Sequence, residues 1–376
     1  MVSIGVLELK AHEQYLVRLC RLLEDDLTVF TTSAIREDIT TDASVAATRH
    51  VTKRPTESLS SYLGRVERVS SALDMLVCFP FSGGRRELFQ YARFSPNCPS
   101  LLWVFNARGW LQAPVLTSSP RESVRRGLKR WIVRKQRGLL FEYPSIRRYV
   151  TTAGLTRKQT YTFVPAVFTG RQSSPTIDPV TVTVPGNVDP ARRDYDTVLG
   201  AFREAVDAGA SLRLELLGRP AEDAREAILS HCRALADEGY DIRFYDDWIP
   251  VDTFRQTLRD STLLVAPLRR TKRVEDIVEY YSKTKGSGNI ADAIHNATPL
   301  VLPDHARFED SLGESGLFYG DRADLADTFE RVSTDRSFRE HVSRAADRNA
   351  TQYEPRRQRE RFTKILESVI DGQSKH

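Results

Sequence analysis

The sequence predicts an α/β protein of two domains, each a parallel sheet covered by helices on both faces. Three observations carry this. Short apolar strands alternate with amphipathic helices along nearly the whole chain. The alternation breaks once, at "TGRQSSPTIDP" (169–179), a Gly, Ser and Pro cluster of the kind that links compact units. The length of 376 residues is more than one ordinary core accommodates.

In the first half, "SIGVLEL" and "LTVFTT" read as strands around the helix "EQYLVRLCRLLE". Residues 33–56 are polar and threonine-rich and suggest no element. The helix "ESLSSYLGRVERVSSAL" leads into the buried strand "DMLVCFPF". "GGRRELFQYARF" reads as a helix, "PSLLWVFNA" as a strand and "PRESVRRGLKRWIVRKQRG" as a basic helix. "LLFEY" and "TYTFVPAVF" are strands around the helix "PSIRRYVTTAG". After the linker come the strands "VTVTVPG", "LRLELLG", "DIRFYDDWI", "TLLVAPL" and "PLVLP". The helices "DYDTVLGAFREAVDAG", "AEDAREAILSHCRALADEG", "PVDTFRQTLRDS" and "NIADAIHNA" alternate with them. A last helix, "RQRERFTKILESVI", closes the chain. The expected division is a Rossmann-like domain over 1–172, a second over 179–348 and a C-terminal helix over 349–372. Ligands of such sheets sit beyond the carboxyl ends of the strands.

Composition narrows the class. A hydrophobic fraction of 40% and a charged fraction of 28% describe a soluble globular chain. No run of about 18 apolar residues is present to span a membrane. The N-terminus lacks a basic start, apolar middle and small-residue cleavage site, so it reads as structure and not as a signal peptide. Cys20, Cys78, Cys98 and Cys232 form no C-x-x-C pair and no metal spacing, which suggests reduced core residues and a cytoplasmic location. The net charge is +5 and most of the cations are arginines, the side chain best shaped to grip phosphate.

One stretch concentrates the functional signal. In "KGSGNIADAIHNATPLVLPDH" (285–305) a basic, glycine-broken loop enters a short helix, which the proline at 299 stops. The first N–H groups of a helix have no intrahelical partner and its dipole favours negative charge there, so Ser287, Gly288 and Asn289 suit an anion. Lys283 and Lys285 precede them. Two other strand ends carry suitable residues. Gly186 ends "VTVPG" with Arg192 and Arg193 just before the next helix, and Gly218 is followed by Arg219. An arginine pair there suits a phosphate clamp.

The order "PGNVDPARRDYDTVLGAF", "LELLGRP", "IRFYDDWIPVDTFRQTLRDSTLLVAPL", "KGSGNIADAIHNATPLVLPD", "SGLFYGDRADLADTF" resembles the C-terminal half of GT-B nucleotide-sugar glycosyltransferases. It most resembles the large retaining set often labelled "glycosyltransferase group 1". The resemblance covers about residues 142–370 and is weaker earlier, where "HEQYL" and "WVFNARGWL" match loosely. It implies two Rossmann-like domains facing across a cleft and a nucleotide sugar held mainly by the second. It also implies a C-terminal helix crossing back to the first domain, no cofactor beyond the nucleotide-sugar co-substrate and no obligatory metal. By position, Arg193 or Arg192 resembles the family's basic residue on the donor diphosphate, whereas its second base falls at Asn187. Ser287, Gly288 and Asn289 resemble the loop that holds the diphosphate, beside Lys285. Asp292 stands where the family places the second glutamate of its E-x-x-x-x-x-x-x-E motif, on the donor ribose. The first glutamate, near the donor sugar, falls at Thr284, a departure. Trp248 and Ile249 stand where the family lines the base.

In the first domain, His12 after the first strand and Asn106 and Arg108 after "LLWVF" are candidates to meet the acceptor. His12, Asn106 and Arg193 form the expected catalytic set. The expected reaction moves a sugar from a nucleotide donor to a glycan or lipid-linked acceptor, in cell-surface polysaccharide or glycoprotein glycan synthesis. Two rivals are a nucleotide-sugar epimerase of the same architecture and, because of Thr284, an inactive nucleotide-sugar-binding protein. Residues 120–138 hold eight basic residues and one acidic, with Leu128, Trp131 and Ile132 close on a helical surface. This suggests an anionic membrane surface as a partner, on the inner face of the cell membrane. Nucleic acid is not expected, since the cations lack interleaved aromatic platforms.

Overall fold

The computed structural model describes residues 2–10, 12–23, 27–40, 43–46, 48–81, 83–171, 178–222 and 225–371. Seven strands, β1 (Ile4–Leu7), β2 (Leu27–Thr32), β3 (Arg49–Lys53), β4 (Met75–Cys78), β5 (Ser100–Val104), β6 (Gly138–Phe141) and β7 (Gln159–Thr162), form the first sheet. Their order is β3-β2-β1-β4-β5-β6-β7, and every pairing is parallel. Strands β1, β4, β5 and β6 are buried at every position, which explains their unbroken apolar runs. β3 is an edge strand with no buried residue, so its sequence "RHVTK" carries no apolar signal. That is why residues 33–56 suggest no element. They contain β3 and the helix Ser33–Ile39, capped by Thr32, whose hydroxyl accepts the Ile35 N–H.

β8 (Val180–Pro185), β9 (Leu212–Leu217), β10 (Ile242–Phe244), β11 (Leu263–Val265), β14 (Leu300–Pro303) and β15 (Gly316–Tyr319) form the second sheet. It too is parallel, in the order β10-β9-β8-β11-β14-β15. Both sheets reverse strand order beside their first strand, β1/β4 and β8/β11, and a crevice forms beyond the carboxyl ends at such a point. Residues 172–177 of the expected linker lie outside the described residues. The C-terminal helix Pro355–Asp371 packs on the first domain. Phe362, Leu366 and Val369 are fully buried there, and the Phe362 ring lies 4.7 Å from that of Phe163. The Arg359 guanidinium donates to the Leu22 carbonyl at 2.7 Å, and the Gln358 amide donates to those of Val164 and Ala166.

The two remaining strands, β12 (Thr271–Val274) and β13 (Ile277–Tyr280), make an antiparallel hairpin that the sequence does not suggest. Its turn is Glu275–Asp276, with Glu275 at φ 58°, instead of the Asn-Gly or Asp-Gly pair that announces such turns. The hairpin leaves the second domain and docks on the first. The buried carboxylate of Glu279 accepts the N–H groups of Arg108 (3.2 Å) and Gly109 (2.8 Å). These residues open a π-helical turn, Arg108–Gln112, that follows β5. The Arg108 guanidinium donates to the Val278 carbonyl at 2.6 Å. At the hairpin tip, Glu275 pairs with Arg125 and with Lys129 (2.8 Å), and Asp276 pairs with Arg126.

The basic helix Pro120–Lys135 therefore directs three of its cations to the hairpin. Lys135 donates to the carbonyls of Ala92, Arg93 and Phe94, and Arg130 to that of Ala113. Much of the charge that suggested a membrane surface serves this internal contact.

Removing the Glu279 carboxylate orphans the buried Gly109 N–H and the partly buried Arg108 N–H, whereas the tip pairs are partly exposed and contribute little. Glu279→Ala should lower unfolding stability by about 3 kcal/mol. Glu275→Ala and Asp276→Ala should each cost under about 1 kcal/mol. Urea unfolding of the three variants checks this ranking.

Candidate active site

The end of β8 is built around a missing side chain. Gly218, just past β9, lies so close to β8 that a Cβ on it would stand 2.1 Å from the Gly186 carbonyl oxygen. Gly186 itself has φ 93°, a conformation few other residues tolerate. The carbonyls of Gly186 and Asn187 turn inward and accept from Arg193 Nη1 at 2.7 and 3.2 Å. Arg193 Nη2 donates to Asn289 Oδ1 at 3.1 Å, and Asn289 Nδ2 donates to the Pro185 carbonyl at 2.9 Å. Arg193, buried to 8% exposure, thus ties the end of β8 to the start of the helix Gly288–Asn296.

That helix start is left open. Ser287 occupies the N-cap position but makes no capping bond; its hydroxyl donates to Asn289 Oδ1 at 3.1 Å. Gly288 is exposed, and a Cβ on it would meet nothing within 4 Å. A buried guanidinium and an uncapped helix N-terminus therefore stand together at an accessible mouth, a suitable arrangement for an anion. The helix ends at Asn296, with Ala297 in the left-handed region, three residues before Leu300 opens β14.

The first domain closes on this loop. The Ala107 N–H donates to the Thr284 carbonyl at 2.8 Å, Asn106 and Lys285 form an antiparallel bridge, and Lys285 Nζ donates to Asn106 Oδ1 at 3.2 Å. Tyr143, past the end of β6, donates its hydroxyl to the Ser287 carbonyl at 2.7 Å. Beside it, Glu142 accepts the Tyr15 hydroxyl, and burial pushes its carboxyl above the usual range. Burial lowers the Lys285 ammonium, opposed by the charges of Glu142 and Glu279.

The remaining candidates divide. Thr284 is fully buried and its hydroxyl accepts the Tyr280 N–H at 2.8 Å, so it serves the turn. Asp292 pairs with Arg18 of the first domain at 3.1 Å; burial raises its carboxyl and the guanidinium opposes the rise. Arg192 is half exposed and held by Asp189 at 2.9 Å. Ile249 is buried in the core while Trp248 is 69% exposed, and Arg219 is exposed on the surface, donating nothing to the cluster. Arg108 serves the hairpin contact. His12 lies on the first domain's side, its Nδ1 2.6 Å from Glu8 Oε2.

Glu8, Arg18, Glu142, Tyr143 and Glu279 are groups at this junction that the sequence does not single out. Glu8 and Glu142 carried a readable signal, since each is an acid directly after an apolar strand end. Among the described residues no group of three or more His, Cys, Asp or Glu is arranged to hold a metal ion, and no helix is long and apolar enough to cross a membrane.

No protein-family model matches the sequence, and no curated protein sequence does either. Solved structures do match. HepE of Anabaena, in its complex with UDP and glucose, superposes with a TM-score of 0.68 at 13% identity, covering 98% of this chain and 100% of that one. The N-terminal domain of Candida albicans trehalose-6-phosphate phosphatase gives 0.67 at 10% identity over 98% of this chain and 97% of that one. Sucrose-phosphate synthase of Thermosynechococcus elongatus gives 0.60 at 12% identity over 98% and 99%. The fold is GT-B. Two parallel sheets and the helix returning to the first domain share this fold at very low sequence identity.

The geometry separates the two neighbouring arginines. A charge-assisted phosphate contact contributes about 1.5–3 kcal/mol, so Arg193→Ala should weaken nucleotide binding tenfold or more. Arg192→Ala, at an exposed ion pair, should change it little; calorimetric titration of both variants checks this. Gly288→Val fits the open space without touching the fold but fills the mouth of the anion site. It should keep the melting temperature and lose nucleotide binding, read by thermal denaturation and the same titration.

Proposed function

We propose that the protein is a glycosyltransferase that moves a sugar from a nucleotide-sugar donor to a glycan or lipid-linked acceptor. The observation that carries this is the pairing of buried Arg193 with the open N-terminus of the helix Gly288–Asn296. When the bond between the sugar and the nucleoside diphosphate breaks, negative charge develops on the leaving oxygen. A fixed guanidinium and aligned N–H groups stabilise that charge without reorganising. The first domain, docked on the donor loop through Asn106 and Tyr143, supplies the wall against which an acceptor hydroxyl is oriented. No metal or other cofactor is required in this reading.

HepE is seen with UDP and with UDP-glucose, so UDP-hexoses are the first donors to test. Incubation with radiolabelled UDP-hexoses should give transfer to sugar acceptors or slow donor hydrolysis, unaffected by a chelator. An isomerised donor would point to an epimerase, and binding without turnover to an inactive binding protein.

The setting is the assembly of cell-surface polysaccharide or glycoprotein glycan on the cytoplasmic side of the membrane. Helix Pro120–Lys135 supports a membrane partner with a narrower set of residues than its total charge suggests. Val124, Trp131 and Arg134 are exposed and fall, at helical spacing, on the side away from Arg125, Arg126 and Lys129. Tryptophan suits the interface, and each arginine near an anionic surface contributes about 1 kcal/mol. Sedimentation with phosphatidylserine-containing liposomes should show binding that fades with salt, and the combined change Trp131→Ser and Arg134→Ser should abolish it. Protein remaining in the supernatant at low salt would favour a soluble acceptor.

A further inference from the structure

The ends of β5 and β6 meet the second domain, through Asn106 at Lys285 and Tyr143 at the Ser287 carbonyl. The ends of β4, β1, β2 and β3 continue the same carboxyl edge in strand order. Five cations stand along this continuation. Lys53 is the last residue of β3, and Arg54 follows it. Lys10 lies three residues past β1. Arg85 and Arg86 open the helix Arg85–Arg93, which follows β4.

The register brings them to one level. Lys53 pairs with Thr32, two residues past Phe30, and Phe30 pairs with Leu7. Leu7 pairs in turn with Cys78 of β4. Lys10 and Phe81, each three residues beyond that pair, meet: the Lys10 ammonium lies 5.7 Å from the centre of the Phe81 ring. A Cβ on Gly83 would stand 2.6 Å from the same ring, so Phe81 also holds the turn that leads into Arg85. Neighbouring strands lie about 4.8 Å apart, so the row from β3 to β4 spans about 14 Å.

These charges are not neutralised. Lys10, Arg54, Arg85 and Arg86 are exposed and Lys53 is partly so, and among the described residues none of the five forms an ion pair. The nearby acids are engaged. Glu8 faces His12 and accepts the Lys10 N–H. Glu57 pairs with Arg65 at 2.8 Å and accepts the backbone N–H of Arg54, not its guanidinium. Glu87 accepts the Gly84 N–H at 2.9 Å. Glu13 and Glu37, on the helices after β1 and β2, are too few to balance five cations. Elsewhere the chain pairs such side chains. Arg203, Arg233, Arg307, Arg322, Arg336 and Arg348 each meet a carboxylate although half exposed or more. Like charges gathered on one edge repel each other, and an anionic ligand removes that repulsion.

We infer that the acceptor is a polyanion: a glycan chain with repeated carboxylate or phosphate groups, lying along the ends of β3, β1 and β4 with its reacting hydroxyl at the cleft beside Asn106. The inference rests on the sugar-transfer reading above and names its acceptor class. The row is too long for the single anionic group of a monosaccharide and suits an extended chain. The guanidinium fork matches carboxylate and phosphate alike, so experiment separates the two.

Calorimetric titration of the full chain with a galacturonic acid hexamer, a glycerol phosphate hexamer and neutral maltohexaose tests this. At low salt one acidic hexamer should bind at least tenfold more tightly than maltohexaose, and its identity names the anionic group. The advantage should shrink at high salt. This comparison needs no variant to fold. Changing Lys53, Arg54, Arg85 and Arg86 together to Ser should lower the affinity for that hexamer about tenfold or more, with nucleotide affinity and melting temperature unchanged. Arg137→Ser with Arg157→Ser, just before β6 and β7 at the opposite edge of the sheet, should leave it unchanged. With a labelled UDP-hexose, the hexamer that binds should also accept sugar faster than maltohexaose. Equal binding of all three hexamers, or an equal loss in both variants, would overturn the inference. Wild-type protein that binds an acidic hexamer but no nucleotide would instead overturn the sugar-transfer reading beneath it.

Discussion

The structure depends on one contact, the docking of the loop from Glu279 to Gly288 onto the first domain. From Glu279 to Gly288 the chain belongs by topology to the second domain, yet its partners lie in the first. The Glu279 carboxylate accepts from Arg108 and Gly109, the Thr284 carbonyl accepts from Ala107, Lys285 meets Asn106, and Tyr143 donates to the Ser287 carbonyl. Three ionisable groups are drawn into the seam. Burial raises the carboxyls of Glu142 and Glu279 and lowers the ammonium of Lys285, and the opposite charges resist each shift. None of the three is stable there alone, because an unpaired buried charge is costly. The shape of this loop is thus set by the first domain.

Around that seam the candidate anion site follows from backbone geometry. Gly218 lets β9 and the β8 end approach, Gly186 turns its carbonyl inward, and Arg193 is captured between that carbonyl and Asn289. Asn289 would otherwise project from the first helical turn; here it anchors to Pro185 and draws the Ser287 hydroxyl away from the cap position. The open helix start therefore results from side chains bonding to each other. Arg18 bonded to Asp292 adds a further link between the domains at the same helix.

Much of this could be read from the residues, and the failures have physical causes. The buried parallel strands announce themselves as apolar runs, and "KGSGN" announces the open helix start through its small residues. β3 and the β12–β13 hairpin escape because edge strands and charged hairpins carry no apolar period, and the Glu275–Asp276 turn lacks glycine. Arg192 and Arg193 cannot be separated by spacing; the difference is that one meets Asp189 at the surface and the other enters the cleft. Part of the basic helix's role is hidden because charge totals do not reveal that three of its cations pair with acids about 150 residues later, on the hairpin tip. Glu279 acts through long-range contacts that a single sequence does not display.

The account's central claim is that a nucleoside diphosphate is held by the N–H groups opening the helix Gly288–Asn296. Backbone amide hydrogen exchange, followed with and without UDP or another nucleoside diphosphate, tests it at the atoms concerned. The account predicts that saturating nucleotide protects the Gly288 and Asn289 amides most, with Ala107 and Gly109 slowed in step as the seam tightens. Nucleotide binding that leaves these amides exchanging at the unliganded rate, with protection elsewhere, would contradict it.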